Sequence, residues 1–185
     1  MSRLLLDPVL PRKLAERRQV IDCKVQIKDF SRLAEIMQSE LAGLPAGERA
    51  AKWQQTTVTI RLRFDFGDLG KSVPLLDGEV STTLDAVCQR CLEACSLPLK
   101  TTLRYLLMPL DADAIEYKDY EIWELAEKTI RLIEIVEEAL IMAMPLPALH
   151  QSADECGPLA KELSPAATKM ALPFAGLKAQ LDESK

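Results

Sequence analysis

The strongest constraint in this sequence is a pair of alternating segments joined through two closely spaced cysteines, Val80 to Met108. In the second segment Leu97, Leu99, Thr101, Leu103, Tyr105 and Leu107 occupy one parity, and Lys100, Thr102 and Arg104 the other. Side chains of a strand alternate between faces, so this period of two specifies a half-buried strand. The first segment repeats it, with Val80, Thr82, Leu84 and Ala86 opposite Ser81, Thr83 and Asp85. Between them lies Cys88-Gln89-Arg90-Cys91, a spacing that either holds a metal at a strand end or closes a tight apolar turn.

A third alternating run, Thr56 to Phe66, sets Val58, Ile60, Leu62, Phe64 and Phe66 against Thr57, Thr59, Arg61, Arg63 and Asp65. Gly67-Asp68-Leu69-Gly70 and Asp77-Gly78 read as turns, so these segments predict an antiparallel β-meander, an open sheet or a partial barrel. Val20, Cys23, Val25 and Ile27 predict a further short strand with imperfect alternation. Tyr120, Ile122, Trp123 and Glu124 predict an edge strand.

Helical spacing predicts a short helix over Arg12–Arg18 and another over Phe30–Leu41, with Asp29 as its cap. A long apolar helix is expected from Ile130 to Met144, capped by Thr129 and stopped by Pro145. Its stripe of Leu132, Ile133, Val136, Leu140 and Ala143 is expected to cover the sheet, with Glu134, Glu137 and Glu138 solvated on the outside. The fold class is therefore α+β. One domain over 1–185 is expected, with a core at 20–145, an irregular segment at 146–173 and a short C-terminal helix at 174–182.

Composition narrows the function classes. A hydrophobic fraction of 48% supports a packed core, and a net charge of −5 argues against coating nucleic acid by bulk electrostatics. Five cysteines, an odd number, fit a reducing compartment. Leu4-Leu5-Leu6 before Asp7-Pro8 is too short for a signal-peptide core, and no run is apolar enough to span a bilayer, so the cytoplasm is expected.

Catalytic chemistry is poorly supplied. His150 is the one histidine, no phosphate-cradling loop or nucleophile elbow is present, and Glu137 and Glu138 are adjacent on a helix, pointing about 100° apart. No enzyme is expected. Cys88, Cys91, His150 and Cys156 together make a Cys3His set suited to structural zinc, with Cys95 as an alternative thiol; ordinary unmetallated thiols are the competing reading. A redox or zinc-responsive regulator is a further alternative. Arg61, Arg63, Arg90, Lys100 and Arg104 could contact RNA phosphates, or form a solvated face balanced by Asp65 and Asp85. Asp111 to Leu140, with ten acidic residues against three basic, would repel RNA and suits a basic partner such as a ribosomal protein.

Four features in order resemble the YceD-like proteins, named for large ribosomal RNA subunit accumulation in bacteria. They are Leu6-Asp7-Pro8-Val9 before a short basic helix; the Cys88-Gln89-Arg90-Cys91 turn; the acidic stretch leading to Glu138–Pro145, then Pro147, His150 and Cys156; and Pro173-Phe174-Ala175-Gly176-Leu177-Lys178. The resemblance implies a non-enzymatic cytoplasmic factor in the synthesis, processing or stability of large-subunit ribosomal RNA. Its implied partners are a ribosomal precursor particle, the RNA itself or a ribosomal protein, with no membrane and no small-molecule substrate. Some relatives carry further cysteine pairs after the core helix; this chain has only His150 and Cys156 there.

Overall fold

The computed structural model describes residues 3–45, 52–67, 73–110 and 119–158. They form an α+β fold around one five-stranded open sheet of order β1-β2-β3-β4-β5. The strands are β1 (Val20–Gln26), β2 (Thr57–Phe66), β3 (Pro74–Val87), β4 (Ala94–Pro109) and β5 (Glu121–Leu125). The first four pair antiparallel in sequence order, while β5 runs parallel to β4.

The alternation read from sequence decides which face is buried. Ile21, Cys23 and Val25 of β1, Val58, Ile60, Leu62 and Phe64 of β2, and Leu99 and Leu103 of β4 all point into one core. In β1 the inward set therefore starts at Ile21, and Val20 faces solvent. Asp77-Gly78 is no turn but lies inside β3, where Gly78 pairs with Leu62 and Leu103 on either side. A Cβ at Gly78 would come within 2.7 Å of a Leu62 methyl and 2.9 Å of a Leu103 methyl, so the glycine leaves room for two leucines to meet over the strand.

Three helices share the inner face rather than one. Helix α2 (Pro11–Glu16) packs on β2, α3 (Ser31–Leu41) on β3, and α4 (Leu132–Ala143) on β4, after a single turn, α1 (Arg3–Leu6), that packs on α4. Helix α4 is shorter than expected because Ile130 instead makes a two-way backbone bridge with Val9, fastening the N-terminus beside the helix start. Arg131, not Thr129, takes the N-cap position.

Two acidic residues have roles other than those expected. Asp29 does not cap α3; its carboxylate accepts from the Gln26 N–H at 2.9 Å and closes the 3-10 turn Ile27–Asp29. Glu137 is not solvated. It is buried, and its Oε1 accepts the Leu33 N–H at 3.1 Å. Leu33 is the third residue of α3, so α4 supplies from outside the acceptor that this helix N-terminus lacks locally. Glu138, one residue on, does face outward and pairs with Arg32 at 2.7 Å. The expected helix at 174–182 and most of the 146–173 segment lie outside the described residues.

Candidate metal centre and charged sheet face

The β3–β4 hairpin ends in a knuckle. The Cys88 N–H donates to the Glu93 carbonyl at 2.9 Å, and the Leu92 N–H to the Cys88 carbonyl at 2.8 Å. Leu92 closes this loop at φ 62°, a left-handed conformation that costs an L-residue about 1 kcal/mol or more. The tight closure holds Cys88 and Cys91 on one side of the turn. The Ala148 carbonyl accepts from the Gln89 N–H at 2.8 Å and lays the segment after α4 across the knuckle.

That segment, 146–158, delivers the other two donors. His150 Nδ1 lies 3.5 Å from Cys91 Sγ and 3.6 Å from Cys156 Sγ. The ligand atoms of Cys88, Cys91, His150 and Cys156 all fall within 4.8 Å of one another. A tetrahedral zinc with ordinary bond lengths separates neighbouring sulfur and nitrogen donors by about 3.6 Å, so the imidazole is already at coordination spacing. The three sulfurs are buried. The four sequence-predicted metal residues thus converge, although 59 residues separate Cys91 from His150.

The surroundings favour thiolate. Burial pushes the Cys88 thiol up, but backbone N–H groups of His150, Arg90 and Cys91, with help from the Cys91 thiol, draw it down from 9.0 to about 6. Arg90 Nη1 approaches Cys156 Sγ at 3.7 Å. Three thiolates and a neutral imidazole around a divalent ion carry one net negative charge, which this guanidinium offsets. His150 Nε2 sits 3.2 Å from the Ala94 carbonyl; with its proton there, Nδ1 is left as the free donor. Cys95 is buried beside the site but outside the donor set, and burial raises its pKa. The Ala94 carbonyl and the Arg90–thiol contact carry no side-chain signature by which the sequence reading could have found them. The Cys3His cluster could bind a metal.

The second set of expected residues lies on the solvent face of the sheet. Arg61 and Arg63 stand on β2, Lys100 and Arg104 on β4, with β3 between. That middle strand presents Asp77 and Glu79. Lys100 pairs with Glu79, and Arg104 approaches Asp77 at 4.0 Å. The hydrogen bond and charge of Lys100, joined by Arg61, hold Glu79 below its ordinary value. Tyr120 donates to Asp77 at 2.9 Å while the Arg104 guanidinium lies 5.5 Å over its ring. The balancing carboxylates are therefore Asp77 and Glu79 rather than Asp65 and Asp85. Asp65 is paired with Arg18 at 3.5 Å, and Asp85 sits half-buried with a raised pKa. Among the described residues Arg61 and Arg63 have no carboxylate within ion-pair distance, while Arg90 is apart from this face, at the knuckle.

The described residues define an α+β protein with one open five-stranded sheet whose hairpin tip carries a buried thiol–imidazole cluster. This chain belongs to the YceD family, described as large ribosomal RNA subunit accumulation protein YceD: the family model matches residues 76–179, more than half of the chain. The matched span begins within β3 and takes in the knuckle, β4, β5, α4 and all four donors. No curated protein and no solved structure matches the chain. The family's description ties the chain to large-subunit ribosomal RNA. No helix among the described residues is long and apolar enough to cross a membrane.

Proposed function

We propose that this protein is a cytoplasmic ribosome-biogenesis factor, needed for the synthesis, processing or stability of large-subunit ribosomal RNA. It acts by binding a partner, not by catalysis. The observation that carries this reading is the family match across the knuckle, β4 and α4. A non-catalytic role is supported by the burial of the two thiols that meet His150: Cys91 is 4% and Cys156 2% exposed, which disfavours attack on a substrate.

Within that reading the direct partner is an unassembled, basic large-subunit ribosomal protein. Lys100 and Arg104 of the sheet face meet carboxylates of β3, which interrupt its positive field, and the chain carries a net charge of −5. Zinc is the ion that the four donors hold, since three soft thiolates and one imidazole suit it better than magnesium or calcium.

The test is the ratio of large- to small-subunit ribosomal RNA in cells lacking the protein, with crosslinking in cells that contain it. A selective fall in the large-subunit RNA, with a ribosomal protein crosslinked, is the expected result. An unchanged ratio across growth conditions overturns the ribosomal role. Crosslinks to RNA alone transfer the role to Arg61 and Arg63; replacing both should then lower the salt-dependence slope of RNA affinity by about 2.

A further inference from the structure

We infer that the metal centre is a clasp: ligation of one zinc by Cys88, Cys91, His150 and Cys156 fixes segment 146–158 across the tip of the β3–β4 hairpin, and loss of the ion releases that segment without unfolding the sheet. The inference rests on the zinc reading above and adds what the ion does.

The four donors come from two pieces of chain that are joined by little else. Cys88 and Cys91 belong to the hairpin knuckle, and His150 and Cys156 to the segment that leaves α4. Besides the contacts of the donors with one another, the bonds that cross between them are Gln89 N–H to the Ala148 carbonyl, the His150 imidazole to the Ala94 carbonyl and Arg90 Nη1 to Cys156 Sγ. Leu146 is fully exposed, and residues 151–155 lie in water. The apolar patch beneath is small: the four cysteines of the hairpin and segment with Ala86, packed by Leu97, Ala148 and Leu149. It touches the main core, which α2, α3 and α4 cover, through the half-buried Leu97. A segment with so few contacts does not repay the entropy of its own ordering without a further bond.

The geometry is prepared for that bond. Nδ1 faces two sulfurs at coordination spacing, its ring anchored through Nε2 to the β4 backbone, so the hairpin orients a ligand that the segment brings. Gly157 reaches the knuckle so closely that a Cβ there would fall 1.8 Å from Glu93 Oε1. Gly157 is therefore held against the hairpin tip only while the clasp is shut.

The test is hydrogen exchange of the full chain, purified without a polyhistidine tag, as loaded protein, after stripping with a chelator, and after return of zinc or of magnesium. The zinc content is measured alongside. The expected result is about one zinc per chain, and on stripping an increase of about tenfold or more in exchange over 146–158 and 88–94, with β2, α3 and α4 unchanged. Zinc, not magnesium, restores protection. Cys156→Ser should reproduce the stripped pattern, and Cys95→Ala should keep both metal and protection. One zinc per chain with unchanged exchange on stripping overturns the clasp and leaves the zinc reading standing. Protection lost throughout the chain also overturns it, because the ion then holds the whole fold. Less than about a tenth of a zinc per chain overturns the zinc reading, and the clasp with it.

Discussion

Glu137 and Glu138 are neighbours in sequence with opposite expected behaviour, and this contrast tests the packing of α4 on α3. Glu137→Ala removes the acceptor of the Leu33 N–H, and Leu33 is fully buried, so no water replaces it. An orphaned buried donor costs about 1–3 kcal/mol. The truncation also removes one methylene from a side chain only 5% exposed, worth about another 0.8 kcal/mol. The expected loss is on the order of 3 kcal/mol, or a fall of roughly 6–12 °C in Tm for a chain of this size. Glu138→Ala breaks an ion pair whose side chains are 59% and 36% exposed, worth under about 1 kcal/mol. Glu137→Gln keeps a carbonyl acceptor at the same reach and should lose about 1 kcal/mol. The assay is urea unfolding at saturating zinc, so that metal occupancy does not shift the midpoint. Equal losses for the two alanine variants would refute the capping argument and return Glu137 to the solvated face.

Three further outcomes are expected. Gly78→Ala should destabilise by about 1–2 kcal/mol in the same assay, because the new methyl meets Leu62 and Leu103 in a closed core; a neutral result would mean the two leucines move aside freely. Leu92→Asn should raise stability by up to about 1 kcal/mol, since asparagine tolerates the left-handed backbone at a position 59% exposed. While segment 146–158 lies against the knuckle in zinc-free protein, the Cys88 thiol ionises at about 6 against about 9 unfolded, so its stabilisation is complete above pH 9 and is lost as pH falls through 6; release of the segment removes the His150 N–H and weakens this dependence. Stability should then rise from pH 6 to 9 by at most about 1.4 kcal/mol per unit, and Cys88→Ser should flatten the slope. Cys95 and Cys156, pushed up by burial, shift stability only above their ordinary range and do not mask this window.

The sequence by itself determined which surfaces would be buried. Period-two runs such as Thr56–Phe66 and Leu97–Leu107 can bury their apolar parity only as strands, and the four donors could be named because thiol and imidazole chemistry is carried by residue type. Glu137 was legible in part: it falls four residues after Ile133 and three before Leu140, on the buried stripe, but its charge suggested water until α3 supplied an N–H for it. Other features were decided only in three dimensions. Gly78 reads as a turn in one dimension because the leucines that need its missing side chain sit on two other strands. The pairing of Lys100 with Glu79 and of Arg104 with Asp77 depends on register between strands, which fixes the charge balance of the sheet face. The closeness of His150 to Cys91 depends on where α4 ends and how the chain crosses the hairpin. Local spacing reports what a residue prefers; long-range packing alone determines what it meets.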